Sequence, residues 1–306
     1  MKNEGTVIER PQPQFLTPQL VKPTKAQFLI ALGEIEKFSP APVILANAMR
    51  LIRDPQSDIA SIAGLIGSDS ALAADIIRCS NSVFYGGSSS MSIGEAVQRL
   101  GMRETLRLLN LAVGRIVSGR DLDCYGIHGT DYWAESLFNG LFMEALAREC
   151  GETEPDEAYT VGLLRFIGRL AINQAVENIH GGLFWDGNES ISQWEIDNVG
   201  VVQAQAGAIL LEKWRFPDPM VQAIAGQDAP ATLPEHNWLA DALFFTAAIL
   251  PQGLGKPFSP DVGPIWPATP LGSDFMHQQG LTTDAVEALL QSTSERFEKI
   301  REDLGT

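Results

Sequence analysis

From Thr24 onward, apolar side chains recur with a period of about 3.6 residues almost without interruption, and no convincing run of alternating strands breaks the pattern. A chain patterned in this way buries its apolar stripes by packing helix on helix, so the sequence predicts an all-α, multi-helical bundle. At 306 residues and 45% apolar content, there is enough material for one large core or two ordinary ones.

The local signals place the helices. Pro42 opens a helix carrying Val43, Leu45, Ala48, Met49 and Ile52, which stops at the Asp54-Pro55 turn. Ser57 is read as the cap of the next, with Ile59, Ile62, Ala63 and Ile66 inside it. Asp69 caps a helix from Ala71 to Cys79, and the loop NSVFYGGSSS follows; it lacks the Lys-Ser/Thr ending of a phosphate-binding P-loop. Ser92 and Glu95 form a capping box, Gly101 breaks or kinks the path, and Met102 to Val117 continues it. Arg103 and Arg107, one turn apart there, read as a solvated face rather than an anion site.

A second group begins near Asp131 with DYWAESLFNGLFMEALAREC. Its stripe of Trp133, Leu137, Leu141 and Ala145, flanked by Phe138, Phe142 and Leu146, is broad enough to lie deep in a core. Helices follow over Glu157 to Val176, over Ile191 to Trp214 with a break near Gly200, over Pro219 to Gly226 and over Trp238 to Leu250. Six prolines between Pro251 and Gly280 argue against regular structure there, while Phe258, Ile265, Trp266, Leu271 and Phe275 keep the stretch apolar enough to pack on its own body. Thr283 to Leu304 is an amphipathic helix.

Composition narrows the functions. The balance of 22 basic against 38 acidic residues gives a net charge of −16, which disfavours nucleic-acid backbones and anionic lipid as partners. The first residues have no apolar core of signal-peptide length, and the longest apolar run, Ala242 to Leu250 apart from Thr246, is less than half of a bilayer span. Cys79, Cys124 and Cys150 are scattered and fit no ligand pattern, which suits a reducing cytoplasm. His128, His180, His236 and His277 sit in loop-like stretches with no helical ligand spacing, and all four read as surface residues.

The order of segments resembles the HDOD domain, a helical signalling relative of the HD and HD-GYP metal-dependent phosphohydrolases. The resemblance rests on SPAPVILANAMRLIRDP, on SDSAL, on CSNSVFYG and on the SIGEAVQRLG segment, and it extends from about Thr24 to Leu250. It implies an HD-like bundle with residues 24–120 as an N-terminal helical subdomain and 121–250 as an HD-like subdomain. Residues 1–23 would be a flexible tail, and 251–306 a proline-rich loop plus C-terminal helix.

The same resemblance locates what is missing. VGLLRFIGRL is similar to the GLLHDIGKL segment of active HD hydrolases, with Arg165 and Phe166 in the place of the His-Asp pair. Glu135 stands where the first ligand histidine is expected, Gln203 where a further histidine is expected, and Gln227 and Asp228 at a histidine pair. Asp241 alone keeps a carboxylate. Metal hydrolysis needs imidazoles and carboxylates converging on an ion that acidifies its bound water. The resemblance therefore implies a vestigial pocket of Glu135, Arg165, Phe166, Gln203, Gln227, Asp228 and Asp241, in which Arg165 pairs with Glu135 or Asp241. No catalytic residue, metal or cofactor is assigned. The function implied is a non-enzymatic signal-transduction module whose partner is another signalling protein or a small anionic ligand; the alternative is a metal-dependent phosphohydrolase of nucleotides or cyclic dinucleotides.

Overall fold

The helix Gly129–Cys150 (α6) organises the molecule because its sequence leaves it no polar face: every residue from Tyr132 to Glu144 is buried. The expected stripe is inside, with only Ala145 half-buried. In the computed structural model, which describes residues 24–33, 41–54, 56–80, 92–117, 121–179, 183–250 and 270–304, all the regular structure is helical apart from one isolated bridge between Leu122 and Ile127.

Before α6 come α1 (Lys25–Gly33), α2 (Ala41–Arg53), α3 (Ile59–Ile66), α4 (Ser70–Ser80) and α5 (Ile93–Val117). Helices α2, α3 and α4 all pack on α5. Asp69 caps α4 by accepting from the Leu72 backbone N–H at 3.0 Å, and Ser92 accepts from the Glu95 N–H at 3.2 Å. The cap of α3 is Asp58 rather than Ser57: its carboxylate accepts from the Ser61 N–H at 2.8 Å. Gly101 kinks α5 with φ 76° and ψ 164°. The loop 81–90 lies outside the described residues.

The one helix expected over Glu157 to Val176 is two, α7 (Pro155–Leu163) and α8 (Ile167–Ile179), separated by a turn at Leu164, Arg165 and Phe166. The break lets the halves dock on different neighbours. Gly162 lies against α6, where an added Cβ would come within 2.6 Å of the Asn139 carbonyl oxygen. Gly168 lies against α10 (Gln203–Lys213), where a Cβ would fall 1.8 Å from the Gln203 carbonyl oxygen. Two close helix contacts thus bracket the turn that carries Arg165 and Phe166.

Helix α9 (Ile191–Asn198) ends as expected near Gly200, which has φ 79°. Helices α11 (Asp218–Gly226) and α12 (Trp238–Ile249) follow α10. The stretch expected to lack structure does contain a helix, α13 (Pro270–Gln279). Its proline sits at the first position, where a missing N–H costs nothing, and Phe275 is buried against Phe245 with ring centroids 4.8 Å apart. Phe258, Ile265 and Trp266 lie outside the described residues.

Helix α14 (Thr283–Leu304) packs on α6. Phe297 meets Phe138 edge-on at 5.6 Å, and Arg296 donates to buried Glu144 at 2.9 Å. Among the described residues no helix is long and apolar enough to cross a membrane.

Candidate functional site

The turn between α7 and α8 buries two arginines around one ring. Arg165 is 2% exposed and Arg169 is 6% exposed, and their guanidinium carbons lie 5.0 and 4.2 Å from the centre of the Phe166 ring. Such stacking favours a cation that has lost its water, because the ring face carries partial negative charge. From α6, Asn139 accepts a hydrogen bond from Arg165 Nη1 at 2.8 Å, and Glu135 Oε2 lies 3.6 Å from Arg169 Nη1. From the end of α11, Gln227 donates to the Arg165 carbonyl at 3.2 Å and to the Ile224 carbonyl at 2.9 Å, which fixes the turn. Burial first, and Arg169 beside it, push the Arg165 guanidinium down to about 10, against the pull of Asp228 and Glu135.

Next to this pair a second acid is fully buried. Glu195, near the end of α9, accepts from the Tyr125 hydroxyl at 2.8 Å and from the Gln203 backbone N–H at 2.7 Å, so it occupies the N-terminus of α10. Burial raises its carboxyl above the ordinary value, opposed by the Gln203 and Tyr125 hydrogen bonds and by the charge of Arg169.

The residues read from the sequence therefore divide. Glu135 on α6, Arg165 and Phe166 in the turn between α7 and α8, Gln203 at the start of α10 and Gln227 at the end of α11 are all buried. Asp228 is exposed yet close enough to act on the Arg165 charge. Asp241 is engaged elsewhere, with His236 Nε2 at 2.9 Å. The expected pairing of Arg165 with an acid takes another form: its own hydrogen bond goes to Asn139, and the ion pair with Glu135 is made by Arg169. The reason is register. Arg165 lies in the turn facing Asn139, while Arg169, one helical turn further along, faces the acid.

Asn139, Arg169, Glu195 and Tyr125 are absent from the sequence reading. Asn139 had a signal, since Glu135 and Asn139 are polar positions four apart in an otherwise apolar helix and so share a face. Glu195 had none, because its burial is created by a partner 70 residues away in sequence. Of the histidines, His128 and His236 are exposed; His277 is exposed too, but on α13 rather than in a loop, and His180 lies outside the described residues.

A divalent ion does not fit this donor set. By Coulomb's law, a +2 ion about 4 Å from a guanidinium is opposed by about 8 kcal/mol at an effective dielectric near 20. Glu135, Glu195 and Asp228 offset part of this, but all three already act on the same two arginines. Among the described residues no three His, Cys, Asp or Glu side chains converge as a ligand group.

The model of the HDOD domain matches residues 39–230. The chain belongs to the HDOD family. An HDOD domain protein from Geobacter sulfurreducens superposes with a TM-score of 0.65 at 18% identity, covering 91% of this chain and 96% of that one. A Marinobacter aquaeolei VT8 protein, provisionally named for signal transduction, gives 0.66 at 23% identity over 92% of this chain and 65% of its own. A Shewanella amazonensis SB2B protein, provisionally named a phosphohydrolase, gives 0.59 at 22% identity over 88% and 94%. Likenesses at such identities establish the HDOD fold alone. An uncharacterized protein of Treponema pallidum (strain Nichols) is 26% identical over 196 residues, 62% of this chain, and this chain spans only 37% of its length.

Proposed function

We propose that this HDOD chain is a non-enzymatic regulatory module of signal transduction, with a degenerate HD metal site, acting in the cytoplasm through contact with another signalling protein or a small ligand. One observation carries the reading: at the segment matching the His-Asp pair of active HD hydrolases, two buried guanidiniums close on the Phe166 ring. Fixed positive charge in that place opposes the ion whose job is to acidify water.

The surrounding frame supports the same reading. Gly162 and Gly168 hold the turn against α6 and α10 at contact distances that exclude a side chain, so the helical walls are kept close while the ligands differ. The net charge of −16 favours a protein or small-molecule partner over nucleic acid or an anionic membrane.

The test is turnover. Full-length protein incubated with Mn²⁺, Fe²⁺ or Mg²⁺ should hydrolyse neither p-nitrophenyl phosphate nor bis(p-nitrophenyl) phosphate, nor any cyclic dinucleotide, above the metal-only background. Metal-dependent turnover that survives repurification would establish the phosphohydrolase alternative.

A further inference from the structure

We propose that Arg165 and Arg169 form a receptor site for a phosphoryl group, free as inorganic phosphate or carried on a nucleotide. The proposal rests on the non-catalytic reading above and adds to it the chemical class of the ligand.

Two guanidiniums carry ten N–H bonds between them. Among the described residues the only hydrogen bond from either runs from Arg165 Nη1 to Asn139, since Glu135 stands 3.6 Å from Arg169 Nη1, beyond hydrogen-bonding distance. Among the described residues Arg165 Nε and Arg169 Nε are buried with no acceptor, and Arg169 Nη1 has Glu135 Oε2 before it at 3.6 Å, too far for a hydrogen bond. Native proteins rarely leave buried donors of charged groups unsatisfied, and a bound ion or water is among the usual reasons where they do.

Charge points the same way. Of the acids that face the pair, Glu135 on α6 is the one in ion-pair contact. Glu195 on α9 is already held by Tyr125 and Gln203, and Asp228 after α11 is exposed at the rim. Two cations thus share one contacting anion. An oxyanion would bring the missing acceptors, and planar guanidiniums bind phosphate oxygens in parallel pairs.

The acceptors nearby refine the class. Gln203 Oε1 and Gln227 Oε1 are buried with no donor. A phosphomonoester near its second pKa of about 6, or inorganic phosphate near its own of about 7, carries a P–OH that donates as well as oxygens that accept. Sulfate at the same pH has no proton to give.

The experiment is thermal unfolding of the full chain at pH 6.5 in the presence of a chelator, with sodium phosphate, sodium sulfate or AMP added at constant ionic strength. Phosphate at ten times its Kd should raise Tm by about 3 °C over chloride, with a smaller rise for sulfate. AMP acting at far lower concentration than phosphate identifies a nucleotide as the carrier, and equal potency identifies the free ion. No rise with either phosphate or AMP, or an equal rise with sulfate, overturns the proposal. The double variant Arg165→Met, Arg169→Met should lose the response, and a response it keeps in full overturns the proposal. Because that variant changes a buried site, exposed Asp228→Asn provides a second arm: it removes a charge acting on Arg165, so phosphate should bind several-fold tighter, and unchanged affinity counts against the site. A rise that appears only without chelator would place a metal there and defeat the non-catalytic reading; the absence of any rise in metal-free protein defeats the phosphoryl site alone.

Discussion

Gly168 has no room for a methyl group. A Cβ there would stand 1.8 Å from the Gln203 carbonyl oxygen and 2.7 Å from the Gly207 nitrogen, both backbone atoms that cannot rotate away. Gly168→Ala should therefore cost about 3 kcal/mol or more by forcing α8 and α10 apart, measured by denaturant unfolding. A change below about 1 kcal/mol would mean that the crossing is looser than described. The buried cluster was legible at this scale where a residue's own neighbours in sequence set its environment. Arg165 and Phe166 were marked by their place in VGLLRFIGRL, and both are buried. Asp241 was marked in the same way, yet its contact is with exposed His236, because a one-dimensional match does not fix which side of α12 faces inward. Glu195 and Tyr125 could not be read, since their hydrogen bond joins residues distant in sequence.

Among the elements, α14 shows how the C-terminal extension is fastened. Glu144 on α6 is buried and accepts from Arg148 at 2.6 Å and from Arg296 of α14 at 2.9 Å. Burial alone would raise its carboxyl, but the charges of Arg107 and Arg296 and the two arginine hydrogen bonds outweigh that and hold it below the ordinary 4.5. A carboxyl with a depressed native pKa binds fewer protons when folded, so its contribution is present above the unfolded value and is lost as pH falls through the folded one. Glu144→Gln should thus lower stability by about 2 kcal/mol near neutral pH. The gap should close well below pH 4.5, where the native carboxyl is protonated too. A gap that stays constant in chemical unfolding across that range would show that the ion pairs do not hold α14. Helix boundaries follow the same division. The 3.6-residue period gave α6 and α14, whereas the break at residues 164–166 and the helix α13 depend on packing: Gly162 and Gly168 against different partners, and Phe275 against Phe245.

Across the whole molecule, the helical frame and the chemistry of its pocket point in different directions. The frame is that of the HDOD family, with α6, α7, α8, α10 and α11 converging on one buried turn. The turn itself buries two arginines around an aromatic ring, with side-chain amides beside them, a set that opposes an ion of charge +2. The all-helical class was plain from periodicity because it is repeated over the entire chain, while the pocket's charge balance rests on a few contacts that only the folded chain creates. The decisive measurement is elemental analysis of full-length protein purified without chelator. The account predicts far less than one equivalent of Fe, Mn, Mg or Zn per chain, and a stoichiometric metal retained through gel filtration would contradict it.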